Sequence, residues 1–399
     1  MSAPVVRTPA VQHWPLGRPS NDYVIGHVRA VLPDRVLDDA RIAVRDGRIA
    51  EVGPHPAGAS ADADGGGLLC LPGLVDVHSD GLERERAPRP GAELPWKFAL
   101  LSFEGKLRAA GVTTVFHGAS FEQGTSPTTT RSVDTARELC RVVTGRGPGP
   151  VDHRILHRID VRCAHGLAAL QEHLARLDGL AVVSHEDHTP GQGQYTDRRY
   201  YERFVMGTKS LTEEQARQHV DELIAERDAR ADVRDASLQW LGGQARSGAV
   251  HLFGHDPTSA AEIDALAARG GAVAEFPTTV EAAAAARERG MPVVMGAPNV
   301  LRGESHAGNA SARELAQRGL VTALASDYLP SGLLGAVFTL AAAVTTLATA
   351  VHLVTGGAAE AVGLADRGAL AEGQRADLVL IEAGNPWTVV RSVLRAEQP

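Results

Sequence analysis

Lysine is nearly missing from this chain. Of 40 basic residues only Lys97, Lys106 and Lys209 are lysine, and the other 37 are arginine. Any chemistry that needs a lysine amine must draw on one of these three. Cysteine is as scarce: there are three, Cys70, Cys140 and Cys163, and no C-x-x-C pair. That excludes a disulfide framework and a cysteine zinc finger, and it points to a reducing, cytoplasmic setting. Positive charge is also short. With 48 acidic residues the net charge is −8, which argues against a nucleic-acid partner, because such a partner needs a basic face. Residues 1–22 contain Pro4, Pro9, Pro15 and Pro19 and no apolar run. They read as an extended or disordered lead rather than a secretory signal. The long uncharged stretch 332–351 includes Thr339, Thr345, Thr346 and Thr349 and has no flanking arginine cluster. A buried helix is expected there, not a membrane span.

What is present is alternation. Short β-branched runs at 24–32, 40–44 and 48–52, with Asp46–Gly47 as a hairpin turn, predict a small β unit. From Leu68 onward apolar runs end in polar residues and lead into alanine- and arginine-rich helical runs. The strand candidates are 69–77, 113–116, 157–161, 180–184, 250–253, 273–276, 293–295 and 322–325. Eight strands with helices between them predict a (β/α)8 barrel. A further strand at 376–382 returns to the β unit. The expected division is a lead over 1–22, a small β-sandwich domain from 23–70 plus 366–399, and a barrel over 71–365.

Barrel chemistry sits where strands stop. The run Leu71–Val77 ends in His78-Ser79-Asp80, and residues i and i+2 of a strand point to one side, so His78 and Asp80 can share a metal. Later strands run into His185-Glu186-Asp187-His188, Gly254-His255-Asp256 and Ser326-Asp327. Imidazoles and carboxylates from four strand ends make a mixed shell that suits one or two divalent ions, zinc first, with manganese and iron as alternatives. Asp327 has a second expected role, taking a proton from a water that the metal acidifies.

These strand ends carry a resemblance. Leu71-Pro72-Gly73-Leu74-Val75-Asp76-Val77-His78, Ser326-Asp327, Asp366-Arg367-Gly368 and Gly373-Gln374-Arg375-Ala376-Asp377-Leu378 resemble the amidohydrolase superfamily. Within it the chain resembles more closely the PhnM-type diphosphatases of phosphonate metabolism. The matching segments include Asp187-His188-Thr189-Pro190-Gly191-Gln192, Ala274-Glu275-Phe276-Pro277-Thr278-Thr279 and Met295-Gly296-Ala297-Pro298-Asn299. The resemblance implies a metal-dependent hydrolase that releases pyrophosphate from a ribose 5-triphosphate derivative. It carries over His78, Asp80, His188, His255 and Asp327 as metal ligands. Arg302, Ser305, His306 and Asn309 form a loop fit to hold phosphate, with His306 also a catalytic candidate and Thr189 and Gln192 as further substrate contacts. A small phosphorylated metabolite is the implied partner, without nucleic acid or membrane, and alanine- and leucine-rich barrel helices are compatible with a homodimer.

Departures from the family pattern cluster near the expected site. Ala164 stands where relatives carry a glutamate, read here as the carboxylate that bridges two metals. His117 replaces an aspartate, Gly81 an asparagine, Gly193 an arginine and Pro257 an aspartate. Many relatives bridge two metals with a carboxylated lysine, but Lys97 and Lys106 precede the second strand and Lys209 lies in a charged segment. Glu186, two residues before His188, shares its face. Glu186, with His117 or His165, is therefore expected either to rebuild the metal shell or to serve a mononuclear site as acid, base or substrate contact. Hydrolysis of a C–N bond, or deamination, of a small metabolite is the alternative activity. A non-catalytic scaffold is a third.

Overall fold

The computed structural model describes residues 20–89, 91–123, 131–305, 308–384 and 388–395. The lead expected over 1–22 falls almost entirely outside them, and so does His306.

Eight parallel strands occur in sequence order: Leu74–Ser79, Val112–Phe121, Asp152–Asp160, Ala181–Glu186, Val250–His255, Val273–Glu275, Val293–Gly296 and Ala323–Ala325. Each predicted barrel strand overlaps one of these. The ring closes between the last and the first. Asp327 donates its backbone N–H to the His78 carbonyl (3.0 Å), and Asp80 N–H donates to the Asp327 carbonyl (2.5 Å). The buried Asp76 carboxylate accepts from both the backbone and the hydroxyl of Ser326, at 2.9 and 2.5 Å. The barrel interior is filled by alternate residues such as Val75, Phe116, Leu156, Val182, Phe253 and Val273. It is a packed core with its chemistry at one rim.

The predicted first strand, 69–77, is two strands. Leu69–Pro72 belongs to a second sheet, and the barrel strand starts at Leu74. Gly73 marks the break, where a Cβ would lie 2.2 Å from the Thr113 hydroxyl. The second sheet has seven strands from the two ends of the described chain. Leu69–Pro72 pairs with Tyr23–Val31 on one side and, antiparallel, with Leu378–Glu382 on the other.

Helices are capped by the residues their sequences offer. Ser132 and Thr212 form reciprocal capping boxes with Thr135 and Gln215, and Ser259 and Thr279 each accept from a first-turn amide. The single helix expected over 332–351 is broken. Gly332–Ala343 ends at Val344, and Leu347–His352 starts afresh with the Thr346 hydroxyl accepting from Thr349 N–H. Thr346 thus caps the second helix and divides the stretch. Among the described residues no helix is long and apolar enough to cross a membrane.

The C-terminal segment is tied to the barrel by a buried charge. Arg367 donates to Asp152 (2.7 Å) and to the Thr114 hydroxyl (2.9 Å). Burial pushes the Asp152 carboxyl up, but Arg154 and Arg367 outweigh it and hold it below the ordinary carboxylate range. A depressed carboxyl stabilises the fold at neutral pH, and that contribution fades as pH falls through its folded-state value. Arg367→Ala should lower the unfolding free energy by about 3 kcal/mol in urea titrations. It should also flatten the acid limb of stability against pH.

Candidate active site

The barrel rim opens into a cavity of about 330 Å³. His78, Asp80, Glu186, His188, His255 and Asp327 all line it, as do Arg302, Ser305 and Asn309. The structure brings these predicted residues together from strands one, four, five and eight and from the loop after strand seven.

The two histidines at the floor are set from below by one carboxylate. Glu275, fully buried at the end of strand six, accepts from Nδ1 of His78 (2.7 Å) and Nδ1 of His255 (2.6 Å), and the Ser184 hydroxyl donates to it (2.5 Å). A carboxylate on Nδ1 holds that proton in place and leaves Nε2 as the free lone pair facing the cavity. Burial alone would drive the His78 imidazole down, but Glu275 and Asp80 outweigh it and raise it to about 10, so without a bound cation Nε2 carries a second proton that metal binding displaces to expose the lone pair.

Above this floor the donors gather in two groups. His78, Asp80 and Asp327 form one, and Glu186, His188 and His255 the other. Asp256 belongs beside the second group. Its Oδ2 is 3.7 Å from His188 Nε2 and 3.5 Å from His255 Nε2, while His188 Nε2 is 4.0 Å from Glu186 Oε2. These gaps are too long for hydrogen bonds. They lie near the roughly 3.4 Å that separates two ligands of one tetrahedral ion. Buried Oδ2 of Asp256 and Oε1 of Glu186 make no hydrogen bond among the described residues. An imidazole and carboxylate set with unused lone pairs fits a divalent cation such as zinc, manganese or iron.

Arginines bind the carboxylates to one another. Arg158, buried on strand three, grips both oxygens of Asp80 (2.8 and 2.7 Å) and donates to Glu186 Oε2 (2.6 Å). Arg131 donates to Asp80 (2.7 Å) and Glu83 (3.0 Å). Burial pushes Glu186 up, yet Arg158 and His188 hold it well below the usual carboxylate range. Asp327 is shifted the other way, raised by burial and by the neighbouring Asp80. Gly118 on strand two leaves the space that Arg158 and Asp80 use, since a Cβ there would lie 2.5 Å from Asp80 Oδ1.

Several expectations are corrected. Ala164 does not leave a gap at the bridging position. It follows strand three, opens the helix Ala164–Leu174 and is exposed, as is His165. The residue that ends strand four is Glu186. His117 is not at the mouth: it lies between strand two and a flanking helix, 2.8 Å from His153 Nδ1 and against Phe103, because its neighbour Phe116 takes the inward position. Thr189 is not among the lining residues. Its hydroxyl donates to Asp187 (2.5 Å) and accepts from Arg227 (2.6 Å), which fixes the loop after strand four. Gln192 precedes a single 3-10 turn, and Gln194 and Tyr195 of that turn line the cavity instead.

Glu275, Asp256, Arg131 and Arg158 had no role in the sequence reading. Glu275 obeys the strand-end rule that found the other ligands and sits in a quoted family motif. Nothing in the spacing singles out two arginines among 37.

Glu275→Gln should weaken metal binding by about 10–100-fold in competition with a chromophoric chelator. Glu186→Ala should lose bound metal by elemental analysis, and unchanged content would remove Glu186 from the ligand set.

Comparisons with known proteins identify the family. The Amidohydrolase family matches residues 215–399. The chain is 35% identical over 363 residues to an Escherichia coli (strain K12) protein, alpha-D-ribose 1-methylphosphonate 5-triphosphate diphosphatase, covering 90% of this chain and 94% of that protein. It is 27% identical over 384 residues to imidazolonepropionase of Deinococcus radiodurans, covering 90% and 89%. N-acetyl-D-glucosamine-6-phosphate deacetylase from Mycobacterium smegmatis shares the fold, with a TM-score of 0.60, 16% identity and coverage of 94% and 99%. A barrel whose strand ends converge on a divalent-ion donor set, joined to identity of this extent, places the chain in the amidohydrolase superfamily of metal-dependent hydrolases.

Proposed function

We propose that this hydrolase cleaves a phosphoanhydride of a phosphorylated ribose or phosphonate metabolite and releases pyrophosphate. The observation that carries the reading is the pairing of a metal-donor floor with a basic rim. Arg84 and Arg302 meet at Tyr328. The Arg84 guanidinium lies 4.5 Å over its ring, and Arg302 Nη1 donates to its hydroxyl (2.9 Å). Neither arginine has a carboxylate partner among the described residues, unlike Arg131, Arg158 and Arg227. Two uncompensated guanidiniums beside Ser305 and Asn309 suit phosphate oxygens. The 35% identity to a diphosphatase supports the same class.

His78, His188 and His255, with Asp80, Glu186 and Asp256, would hold one or two ions, and zinc suits the set best. When bound, such an ion acidifies water and polarises a phosphoryl oxygen. The chain's own residues do the rest. Arg84 and Arg302 hold the polyphosphate, and Ser305 and Asn309 fix its tail. Asp327, locked by backbone bonds at His78 and Asp80, takes the proton from the attacking water on its carboxylate. The bridging P–O bond breaks, and the leaving pyrophosphate carries off that oxygen.

Incubation of the metal-loaded protein with α-D-ribose 1-methylphosphonate 5-triphosphate should give pyrophosphate and the 5-phosphate by ³¹P NMR. Release of orthophosphate, or no turnover, overturns the reading. Asp327→Asn should stay folded and lose at least ~100-fold in kcat. Arg302→Ala should raise KM by about tenfold or more.

A further inference from the structure

A second cluster of metal-binding side chains lies outside the barrel wall. Strand three alternates. Leu156 and Arg158 face the barrel interior, so His157 faces outward. There it meets Cys140 of the helix Val133–Thr144 and His173 of the helix Ala164–Leu174. The Cys140 sulfur and one ring nitrogen of each histidine all lie within 4.8 Å of one another. The two imidazoles are 5.2 Å apart between ring centroids, and Phe121 packs against both, at 6.3 and 5.8 Å.

The hydrogen bonds set the state of His157. Its Nδ1 is 3.0 Å from the Val182 carbonyl, which can only accept. The proton therefore sits on Nδ1, and Nε2 carries the lone pair. His157 is 3% exposed, and its Nε2 has no hydrogen-bond partner among the described residues. His173 Nε2 is buried and unpartnered in the same way. A bare acceptor costs about 1–3 kcal/mol of desolvation, so an unsatisfied one in a packed wall calls for a reason. Two such nitrogens beside a thiol, with one imidazole oriented by a backbone carbonyl, have the donors and the outer support of a zinc site.

We propose that Cys140, His157 and His173 bind a zinc ion that clamps the third barrel strand to its two flanking helices. The thiol gives up its proton on binding. This site is separate from the cavity: none of its three residues lines it, and no cysteine does.

Sulfur separates the two sites by experiment. Full-length protein stripped by chelator and reloaded with Co(II) should show a near-ultraviolet thiolate-to-cobalt charge-transfer band. That band should vanish in Cys140→Ala and weaken in His173→Gln, while visible absorption from cobalt at the cavity persists in both. Zinc content should fall by one ion per chain in Cys140→Ala, with hydrolase activity within twofold of the parent. Absence of the band in the saturated parent, or its survival in Cys140→Ala, overturns the proposal. Circular dichroism of both variants shows whether a lost band reflects the site rather than unfolding.

Discussion

The Glu275 carboxylate is the contact on which the mouth of the barrel depends. It is fully buried and spends both oxygens on the Nδ1 atoms of two histidines that come from strands one and five. One rigid group thereby fixes the tautomer and the aim of two ligands whose positions in the sequence are 177 residues apart. Without it, each imidazole could turn its proton inward and present a donor where an acceptor is needed. The closure of the barrel adds the third fixed point, since Asp327 is held through its backbone to both His78 and Asp80.

Arginine does for the carboxylates what Glu275 does for the histidines. Arg158 spans Asp80 and Glu186, Arg131 spans Asp80 and Glu83, and Arg227 spans Asp160 and Asp187. Each needs a planar fork that reaches two acceptors and stays charged when buried, which a lysine ammonium does not offer. The scarcity of lysine thus matches the way the site is held together. The three lysines lie elsewhere: none lines the cavity, and Lys106 and Lys209 pair with Glu85 and His219.

Much of this was legible in the sequence, for definable reasons. Apolar runs that stop at a histidine or an acid mark barrel strands and their reactive ends together. His78, Glu186, His188, His255 and Asp327 emerged from one rule. The rule fails where alternation decides direction. His117 stands where the family carries an aspartate, but Phe116 occupies the inward face and turns the imidazole out. Likeness to the family reads Ala164 as the vacated bridging position, but it opens the helix after strand three and is exposed. Arg131 and Arg158 were invisible because long-range ion pairs leave no local pattern.

The strand Leu69–Pro72 has a consequence for how the molecule is made. One of its two edges is completed by Leu378–Ile381, about 300 residues further along the chain. At roughly 5–20 residues per second of synthesis, that edge waits on the order of 15–60 s for its partner. Through that interval its free N–H and carbonyl groups could template pairing with another nascent chain. The strand is four residues long and ends in Pro72, which cannot donate. A short edge closed by proline keeps the waiting strand from recruiting the wrong neighbour.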